Sequence, residues 1–261
     1  MHGVEPHVFL IGETRVIPEG LQAYFEHIGA PAWRTDAATD VEGLTEFMGR
    51  LCYRSFEPGL NPNVTRVRPT NRAHLKNLID TGHGSVLEHS VLNFAIAGVS
   101  RVFTHELVRH RAGTAVSQES LRFVRLDDLG LWAPTAIRED TEVMEVFVDT
   151  FKRLEELQRM MADHYDLDEE GAQFSRKKEI TSAMRRIAPI GVATSIGWSA
   201  NIRALRHIIE ARTEPSSEEE IRLVFGKIGE IVRERYPVLF ADYRVETVNG
   251  LPWYRTENEK V

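Results

Sequence analysis

The residue types best suited to binding a charged ligand lie close together between His105 and Arg125. Five cationic or potentially cationic side chains stand there, around a glycine-containing bend and a run of small polar residues: Arg109, His110, Arg111, Arg122 and Arg125. Arginine forks bind phosphate oxygens and stack on flat rings, and hydroxyl and free backbone N–H groups donate to the remaining oxygens. The stretch therefore predicts a cradle for a planar ligand that carries a phosphate. The alternative is a surface charge cluster at the C-terminal end of a helix, where cations are favoured.

The overall charge limits the kind of ligand. The chain has 261 residues and a net charge of −7, and because a long nucleic acid needs a basic face, nucleic acid is not an expected partner. A single nucleotide needs only a local basic pocket. No apolar run is long enough to cross a bilayer, and the N-terminal residues lack a basic region followed by a long apolar segment. We therefore expect a cytoplasmic protein with no membrane partner.

Cysteine and histidine usage narrows the chemistry further. Cys52 is the one cysteine, which excludes an intramolecular disulfide and a cysteine-based metal site within the chain. Helical spacing around Cys52 predicts a position on or beside a packed face, and no base is evident nearby, so packing is favoured over nucleophilic catalysis. His83, Glu88 and His89 lack the spacing of a helical histidine pair, and no metal site is predicted from them.

The elements that must position these residues follow from hydrophobic periodicity. Alternating apolar residues predict a strand at 91–97, and Ser100 is the predicted N-cap of a helix over 101–110, followed by a ligand-binding loop. The remaining predicted elements are strands at 8–11 and 190–198, a turn at 16–19, helices at 41–53, 72–80, 140–164, 178–187, 199–211 and 218–235, an irregular loop at 57–69 and a peripheral strand or arm from 245. No repeat or linker is evident, so one domain spanning 1–261 is expected.

The longest predicted helix, over 140–164, has an apolar stripe that we assign to the core or to a subunit interface. The stripe comprises Val143, Val146, Phe147, Thr150, Phe151, Leu154, Leu157 and Met161. The charged residues of this helix are expected on a solvated face, with Glu155 and Arg159 as one pair at positions i and i+4.

The arginine stretch resembles the signature of the flavin-dependent thymidylate synthases. That signature is an Arg-His-Arg triplet followed, after a short loop, by Ser, a variable residue, Arg and an aromatic residue; here it is Arg109, His110, Arg111 and residues 120–123. Further elements of the family pattern occur in the same order: Gly-His-x-Ser-x-x-Glu-His at 82–89, Ser-Arg-x-x-x-His-x-Leu-Val at 100–108, an Arg and Pro element around Arg185 and Pro189, and then Asn201, Arg203, His207 and Arg212. Agreement over so many elements argues against coincidence.

The resemblance implies an α+β fold, with a mixed, mainly antiparallel sheet flanked by long helices, and a homotetramer. It also implies that FAD and dUMP bind at subunit interfaces, that NADPH supplies hydride, that 5,10-methylenetetrahydrofolate supplies a methylene group, and that dTMP is the product.

The resemblance also assigns roles to individual residues. Those expected around the cofactor are Ser85, Glu88, Arg109, His110, Arg111, Gln118, Asn201, Arg203 and His207. Those expected around the nucleotide are Glu106, Arg109, Gln118, Glu119, Ser120, Leu121, Arg122, Arg185 and Arg212. Arg212 and Ser120 are expected beside the reacting base. Arg212 would favour the ionised uracil, and Ser120 would form a hydrogen bond rather than act as a nucleophile.

Three features depart from the commoner family pattern. Five residues, 112–116, stand between Arg111 and Ser117 where four are expected, Glu106 replaces a Gln, and Phe123 replaces a Tyr. A carboxylate near the nucleotide repels phosphate but accepts a hydrogen bond from a ribose hydroxyl or from the pyrimidine. UMP is therefore an alternative substrate to dUMP.

Two further functions stay open. Methylation of uracil at C5 needs an electron-rich C5, which a cysteine thiolate creates by adding to C6, or for which a reduced flavin supplies the electrons. A cysteine-dependent uracil methylase would have to use Cys52. The other alternative is a flavin-binding or nucleotide-binding protein without turnover.

Overall fold

A computed structural model describes residues 1–123, 126–169, 173–259 and 261. Arg125, one of the five cationic residues of the signature stretch, lies outside these ranges. In the described part of the chain the strands are β1 His2–Gly3, β2 His7–Glu13, β3 Val91–Ser100, β4 Thr114–Gln118, β5 Gly130–Leu131, β6 Ala193–Asn201, β7 Arg244–Val248 and β8 Leu251–Arg255. The helices are α1 Pro18–Ile28, α2 Asp40–Leu51, α3 Asn71–Asp80, α4 Arg101–Leu107, α5 Thr135–Arg138, α6 Thr141–His164, α7 Phe174–Met184, α8 Ile202–Thr213 and α9 Glu219–Arg235, with 3₁₀ helices at Gly84–His89 and Arg185–Ile187.

The main sheet of the described chain has four antiparallel strands in the order β2-β3-β6-β4. A separate two-residue pair, β1 with β5, is parallel, and β7 and β8 form an antiparallel hairpin. The prediction of a mixed, mainly antiparallel sheet with flanking helices is therefore confirmed.

The core lies between this sheet and the helices α8 and α9. Buried side chains alternate along β3 and β6, because one face of the sheet packs on the helices. Trp198 of β6 stacks on Phe94 of β3 with ring centroids 5.8 Å apart and meets Phe225 of α9 edge-on at 5.5 Å. Aromatic side chains bury large apolar areas, so this trio contributes strongly to holding α9 against the sheet.

Helix α4 starts as the sequence predicts and ends earlier. The Ser100 hydroxyl accepts from the Phe103 backbone N–H at 3.1 Å, which confirms Ser100 as the N-cap. The Glu220 carboxylate accepts from the Ser100 N–H at 2.6 Å and from its hydroxyl, and burial raises the pKa of Glu220 to about 7. The helix ends at Leu107 instead of continuing to residue 110. The Arg-His-Arg triplet therefore lies on a turn.

Residues Thr114–Gln118 form an edge strand, β4, where the sequence predicted a loop. β4 pairs with β6, with Thr114 opposite Ala200 and Gln118 opposite Ile196. Its sequence, Thr-Ala-Val-Ser-Gln, does not alternate between apolar and polar residues, and its side chains are exposed or half-buried. The hydrophobic pattern therefore does not predict a strand here. The five residues between Arg111 and Ser117, 112–116, therefore lead into a strand at the edge of the sheet.

Residues Pro18–Ile28 form helix α1, where only a turn was predicted. Pro18 occupies the first helical turn, where a missing N–H costs nothing, and Gly29 ends the helix with a φ of 81°. Phe25 of this helix packs with Trp33 and Phe56 in an apolar cluster of its own.

Helix α6 confirms the predicted length but corrects the expected charge distribution. Glu155 is 3% exposed, and its carboxylate accepts from the Leu129 N–H at 2.6 Å. The pair that it forms with Arg159, at 3.6 Å, is therefore anchored in the core and is not part of a solvated face. In the apolar stripe Phe151 is buried, whereas Val146 is 64% exposed. No helix in the described ranges is long and apolar enough to cross a membrane.

Cys52 is exposed, so the predicted packing role is wrong. Helix α2 ends at Leu51, two residues before the predicted end at 53, which places Cys52 on the following turn. Its thiol donates to the Met48 carbonyl oxygen at 3.4 Å.

Candidate functional site

Most residues expected around a cofactor meet at a cavity of about 730 Å³. Three stretches of chain line it, the end of the 3₁₀ helix Gly84–His89, the turn after α4 and the start of α8, together with the C-terminal residues. The lining residues are Glu88, Arg109, His110, Arg111, Ala112, Gly113, Asn201, Arg203, Ala204, His207, Ile208, Glu259 and Val261. Seven of the nine predicted cofactor residues are among them, and Ser85 and Gln118 are not.

The turn after α4 is fixed to the start of α8 through Gly113 and Asn201. The Asn201 side chain caps α8 by accepting from the Ala204 N–H at 2.8 Å, and the Asn201 N–H donates to the Gly113 carbonyl at 2.9 Å. Gly113 has a φ of 69°, and a Cβ there would lie 2.5 Å from the Asn201 amide. The backbone can pass this close to Asn201 only because residue 113 is glycine.

Arg203 is held over the cavity by Glu88. Its Nη1 lies 2.6 Å from Glu88 Oε1, and the two side chains are 43% and 48% exposed. At such exposure an ion pair contributes little to the free energy of unfolding. The ion pair instead orients the Arg203 guanidinium and joins the 3₁₀ helix to α8.

Arg212 adjoins the cavity and is held by two acceptors. Its Nε donates to His110 Nε2 at 2.6 Å, and its Nη1 donates to Glu106 Oε2 at 3.0 Å. Glu106 lies on α4 and Arg212 on α8, and their side chains are 27% and 21% exposed. The guanidinium is therefore oriented by its neighbours but still accessible to a ligand.

His110 accepts this hydrogen bond because it is neutral. Burial lowers the pKa of His110 to about 4, and the positive charges of Arg212, His207 and Arg109 add to the shift. With Nε2 as the acceptor, the neutral ring carries its hydrogen on Nδ1. The middle residue of the triplet therefore serves Arg212 as a hydrogen-bond acceptor.

Several residues predicted to contact the nucleotide lie away from this cavity, in a second polar group around Arg101. Arg101 Nη2 donates to the Glu119 carbonyl at 2.9 Å, and the Glu119 carboxylate accepts from the Ser195 N–H at 2.9 Å. Burial lowers the pKa of Arg101, and the positive charge of Arg185 lowers it further. Arg185 and Glu119 are therefore near Arg101, and neither lines the cavity.

The remaining signature residues lie beside this second group. The Ser120 hydroxyl accepts from the Arg122 N–H at 3.4 Å, and the Arg122 guanidinium lies 5.8 Å from the Phe123 ring centroid. Leu121 is 8% exposed and packs in an apolar cluster with Leu131. Its side chain is therefore buried in that cluster, and a contact between Leu121 and the nucleotide stays a prediction.

Gln118 is also not among the residues that line the cavity. Its amide donates to the Thr104 hydroxyl on α4 at 3.0 Å. Gln118 is the last residue of β4, and this hydrogen bond joins the end of the strand to α4.

Glu259 was not predicted, although it lines the cavity. The C-terminal segment is held there by Asp242, which accepts from the Thr256 hydroxyl at 2.5 Å and from the Asn258 amide at 3.0 Å. Asp242 is paired in turn with Arg206, which is fully buried, at 2.7 Å. No motif marks these residues, and only the fold brings them to the cavity.

A second cavity, of about 490 Å³, has a different character. Its walls include Trp132, Phe147, Phe151 and Ile190, and its polar residues include the carboxylates of Glu218 and Glu220. None of its lining residues in the described chain is cationic, so it does not suit a phosphate. The described residues also include no group of three or more His, Cys, Asp or Glu side chains placed to hold a metal ion.

Comparison with known proteins identifies the family. The family model described as "Thymidylate synthase complementing protein" matches residues 35–238. A protein of Corynebacterium diphtheriae named flavin-dependent thymidylate synthase is 35% identical over 220 residues, which cover 83% of this chain and 85% of that protein. A protein of the same name from Mycobacterium marinum is 34% identical over 249 residues, 91% of this chain and 94% of the relative.

Solved structures show the same fold. Thymidylate synthase X of Helicobacter pylori, with FAD and dUMP, superposes with a TM-score of 0.54 at 20% identity over 77% of this chain and 93% of its own. The UMP/dUMP methylase PolB of Streptomyces cacaoi, bound with 5-Br dUMP, superposes with a TM-score of 0.62 at 14% identity over 92% and 95% of the two chains. The chain therefore belongs to the thymidylate synthase complementing protein family, whose curated relatives reported above are flavin-dependent thymidylate synthases.

Proposed function

We propose that this protein is a methyltransferase that converts dUMP to dTMP by reductive methylation at C5. FAD would bind in the 730 Å³ cavity, with NADPH as the source of hydride and 5,10-methylenetetrahydrofolate as the source of the methylene group. The observation that carries the proposal is the convergence of the triplet, Glu88 and the start of α8 on that one cavity, in a chain that belongs to this family.

The cavity suits the cofactor chemically. Arg109, Arg111 and Arg203 supply the cations that a pyrophosphate needs, and Gly113 and Asn201 also line the cavity. When bound, FAD supplies the electrons that C5 needs, which the protein would otherwise have to obtain from a cysteine nucleophile.

The protein groups then bind and orient the nucleotide. Arg212, fixed by His110 and Glu106, presents its free donors to the pyrimidine carbonyls. Ser120 acts as a hydrogen-bonding group, since no base contacts its hydroxyl among the hydrogen bonds of the described residues.

A homotetramer is part of the proposal. The predicted nucleotide residues fall into two groups in one chain, Glu106 and Arg212 beside the cavity and Glu119 and Arg185 near Arg101. A site shared between subunits would bring the two groups to one nucleotide. The net charge of −7 supports a mononucleotide as the partner rather than a long nucleic acid, and we propose a cytoplasmic location.

A competition assay tests the function. Purified protein is given FAD, NADPH, 5,10-methylenetetrahydrofolate and equal amounts of dUMP and UMP, and the products are identified by mass spectrometry. We expect the mass gain of one methyl group on dUMP. A gain on UMP would make this chain a ribonucleotide methylase, to which Glu106 in place of Gln already points.

Two other outcomes would contradict the proposal. Flavin and nucleotide binding without product would leave a binding protein. Loss of product in a folded Cys52→Ala variant would indicate a cysteine-dependent methylase, whereas the proposal expects that variant to keep full activity, because Cys52 lies exposed on the turn after α2.

A further inference from the structure

The second cavity, of about 490 Å³, combines apolar walls with carboxylates and plays no part in the proposed function. Its walls include the aromatic rings of Trp132, Phe147 and Phe151. The carboxylates of Glu218 and Glu220 lie at the start of α9. Cavities of this size that are lined by aromatic side chains and a few polar groups are typical of small-molecule sites. The cavity is therefore large enough for a small organic ligand.

Trp132 brings an unused hydrogen-bond donor to the wall of this cavity. The residue is 5% exposed, and its indole Nε1–H is buried without a hydrogen-bond partner among the described residues. A donor that is withdrawn from water and finds no acceptor costs free energy. A ligand with a hydrogen-bond acceptor would recover that free energy.

Glu218 brings an unused acceptor to the same cavity. Its Oε2 accepts from the backbone N–H groups of Glu220 and Ile221 at 2.7 and 3.2 Å, and no hydrogen bond within the described ranges uses its Oε1. Glu220, in contrast, binds the Ser100 N–H and hydroxyl through its two oxygens. Glu218 is therefore the carboxylate that can bind a ligand directly, and Glu220 adds negative charge beside it.

The negative charge of these carboxylates is not compensated by the walls of the cavity. None of its lining residues in the described chain is cationic. Arg138 lies 5.9 Å from the Trp132 ring centroid, but it does not line the cavity and is paired with Glu219 at 3.7 Å. Burial raises the pKa values of Glu218 and Glu220, and neighbouring carboxylates raise them further. The electrostatics of the cavity therefore favour a cationic ligand.

We propose that this cavity binds a small organic cation, an amine that has an apolar body and carries a hydrogen-bond acceptor. The ammonium group binds Glu218, the body packs among the aromatic rings, and the acceptor receives the Trp132 N–H. In the described chain the two cavities share no lining residue, so the inference does not rest on the proposed function.

The test uses three probes of nearly the same shape. The first, para-methoxyphenethylamine, has an ammonium group at one end and an ether oxygen, the acceptor, at the other. In para-ethylphenethylamine a methylene group replaces the ether oxygen, and in para-methoxyphenylethanol a hydroxyl group replaces the ammonium. Each probe is titrated by calorimetry into the purified full chain, supplied with FAD, at about pH 8, where a primary amine is still protonated and a carboxyl with a pKa of about 7 is ionised.

We expect the methoxy amine to bind saturably. The alcohol should bind at least about tenfold more weakly, because it has no charge to pair with Glu218. The ethyl amine should bind about three- to tenfold more weakly, because it leaves the indole N–H of Trp132 without an acceptor.

Two variants separate the two contacts. Glu218→Gln keeps a side-chain oxygen to cap α9, and it should remove most of the preference for the amine over the alcohol. Trp132→Phe keeps an aromatic wall, and it should remove the preference for the methoxy amine over the ethyl amine. The matched control is Glu246→Gln, which removes the carboxylate of an exposed ion pair with Arg255 in the β7–β8 hairpin and should keep both preferences. Thermal unfolding shows whether each variant is folded.

Absence of saturable amine binding overturns the inference. That result is expected if a second copy of the chain covers the cavity, where Val146 is 64% exposed. Equal affinities for the amine and the alcohol would mean that the cavity selects only for apolar groups, which overturns the inference as well. So would unaltered preferences in a folded Glu218→Gln variant. If that variant does not fold, the comparison of the three probes on the unsubstituted protein still decides.

Discussion

Two histidines of this protein are held neutral by burial, but only one of them serves the cavity. His110 accepts from Arg212. His74, on α3, is 4% exposed and lies near Arg50 and Arg68, and its Nε2 has no hydrogen-bond partner among the described residues. Burial, together with those arginines and His83, lowers the pKa of His74 to about 4 from 6.5. Protonation of His74 in acid therefore favours the unfolded chain, and none of these contacts indicates that His74 binds a ligand.

The consequence of the lowered pKa is a loss of stability in acid. Between pH 6.5 and 4 the unfolded chain binds a proton at His74 and the folded protein does not, so the free energy of unfolding falls as the pH falls through that window. At about pH 5 the loss from His74 should reach about 2 kcal/mol. Glu220, with its pKa raised to about 7, acts in the opposite direction between pH 7 and 4.5.

Substitution of His74 separates these effects. In His74→Leu, the decrease in unfolding free energy between neutral pH and about pH 5, measured by urea denaturation, should be smaller by about 2 kcal/mol than in the unsubstituted protein. His27→Leu, which removes an exposed histidine at the end of α1, is the matched control. An identical pH dependence in His74→Leu would show that His74 is not held neutral.

At the scale of elements, Gly113 joins the turn that carries the triplet to α8. In Gly113→Ala, a Cβ would meet the Asn201 amide at 2.5 Å in a residue whose φ is 69°. We expect a loss of about 1–3 kcal/mol of unfolding free energy from backbone strain, and in addition a weaker affinity for FAD, because Asn201 must move.

Gly29→Ala is the control for strain alone. Gly29 has a φ of 81°, and a Cβ there has no atom within 4 Å. It should lose stability to a similar extent without any change in FAD affinity, which flavin fluorescence measures. Equal FAD affinity in Gly113→Ala and Gly29→Ala would mean that the Gly113–Asn201 contact does not shape the cavity.

Patterns among neighbouring residues predicted most helices and strands. The elements and contacts that were missed depend on residues distant in the sequence. The hydroxyl of Ser100 and the alternation along β3 are readable from neighbouring residues, and both predictions are confirmed. Strand β4 was missed, since its pairing with β6 spans about 80 residues and its own side chains do not alternate between apolar and polar. Glu155 was misassigned for a similar reason, because its partner Leu129 lies on another segment.

At the scale of the whole molecule, some residues that line the cavity lie outside the part of the chain that the family model matches. The family model ends at residue 238, whereas Glu259 and Val261 line the cavity. The resemblance grouped the triplet with Asn201, Arg203 and His207, and these residues do lie together. It assigned no role to the C-terminal segment, which Asp242, paired with the buried Arg206, holds at the cavity.

Glu259 adds a negative charge to a cavity whose proposed ligand carries a pyrophosphate. Three arginines line the cavity, but Glu88 already offsets Arg203 at 2.6 Å. Removing the Glu259 carboxylate should raise the positive potential that the pyrophosphate meets. In Glu259→Gln, FAD affinity at low salt should therefore increase about two- to fivefold, as expected for an exposed charge.

Salt separates this long-range effect from a direct contact. The gain in Glu259→Gln should shrink at high ionic strength, where charges in contact with solvent are screened. Glu257→Gln, which removes an exposed carboxylate paired with Arg244, should leave FAD affinity unchanged. Weaker FAD binding in Glu259→Gln at every salt concentration would contradict the electrostatic account. It would mean that the carboxylate accepts a hydrogen bond from the cofactor, and that the C-terminal segment is a ligand-binding element of this cavity.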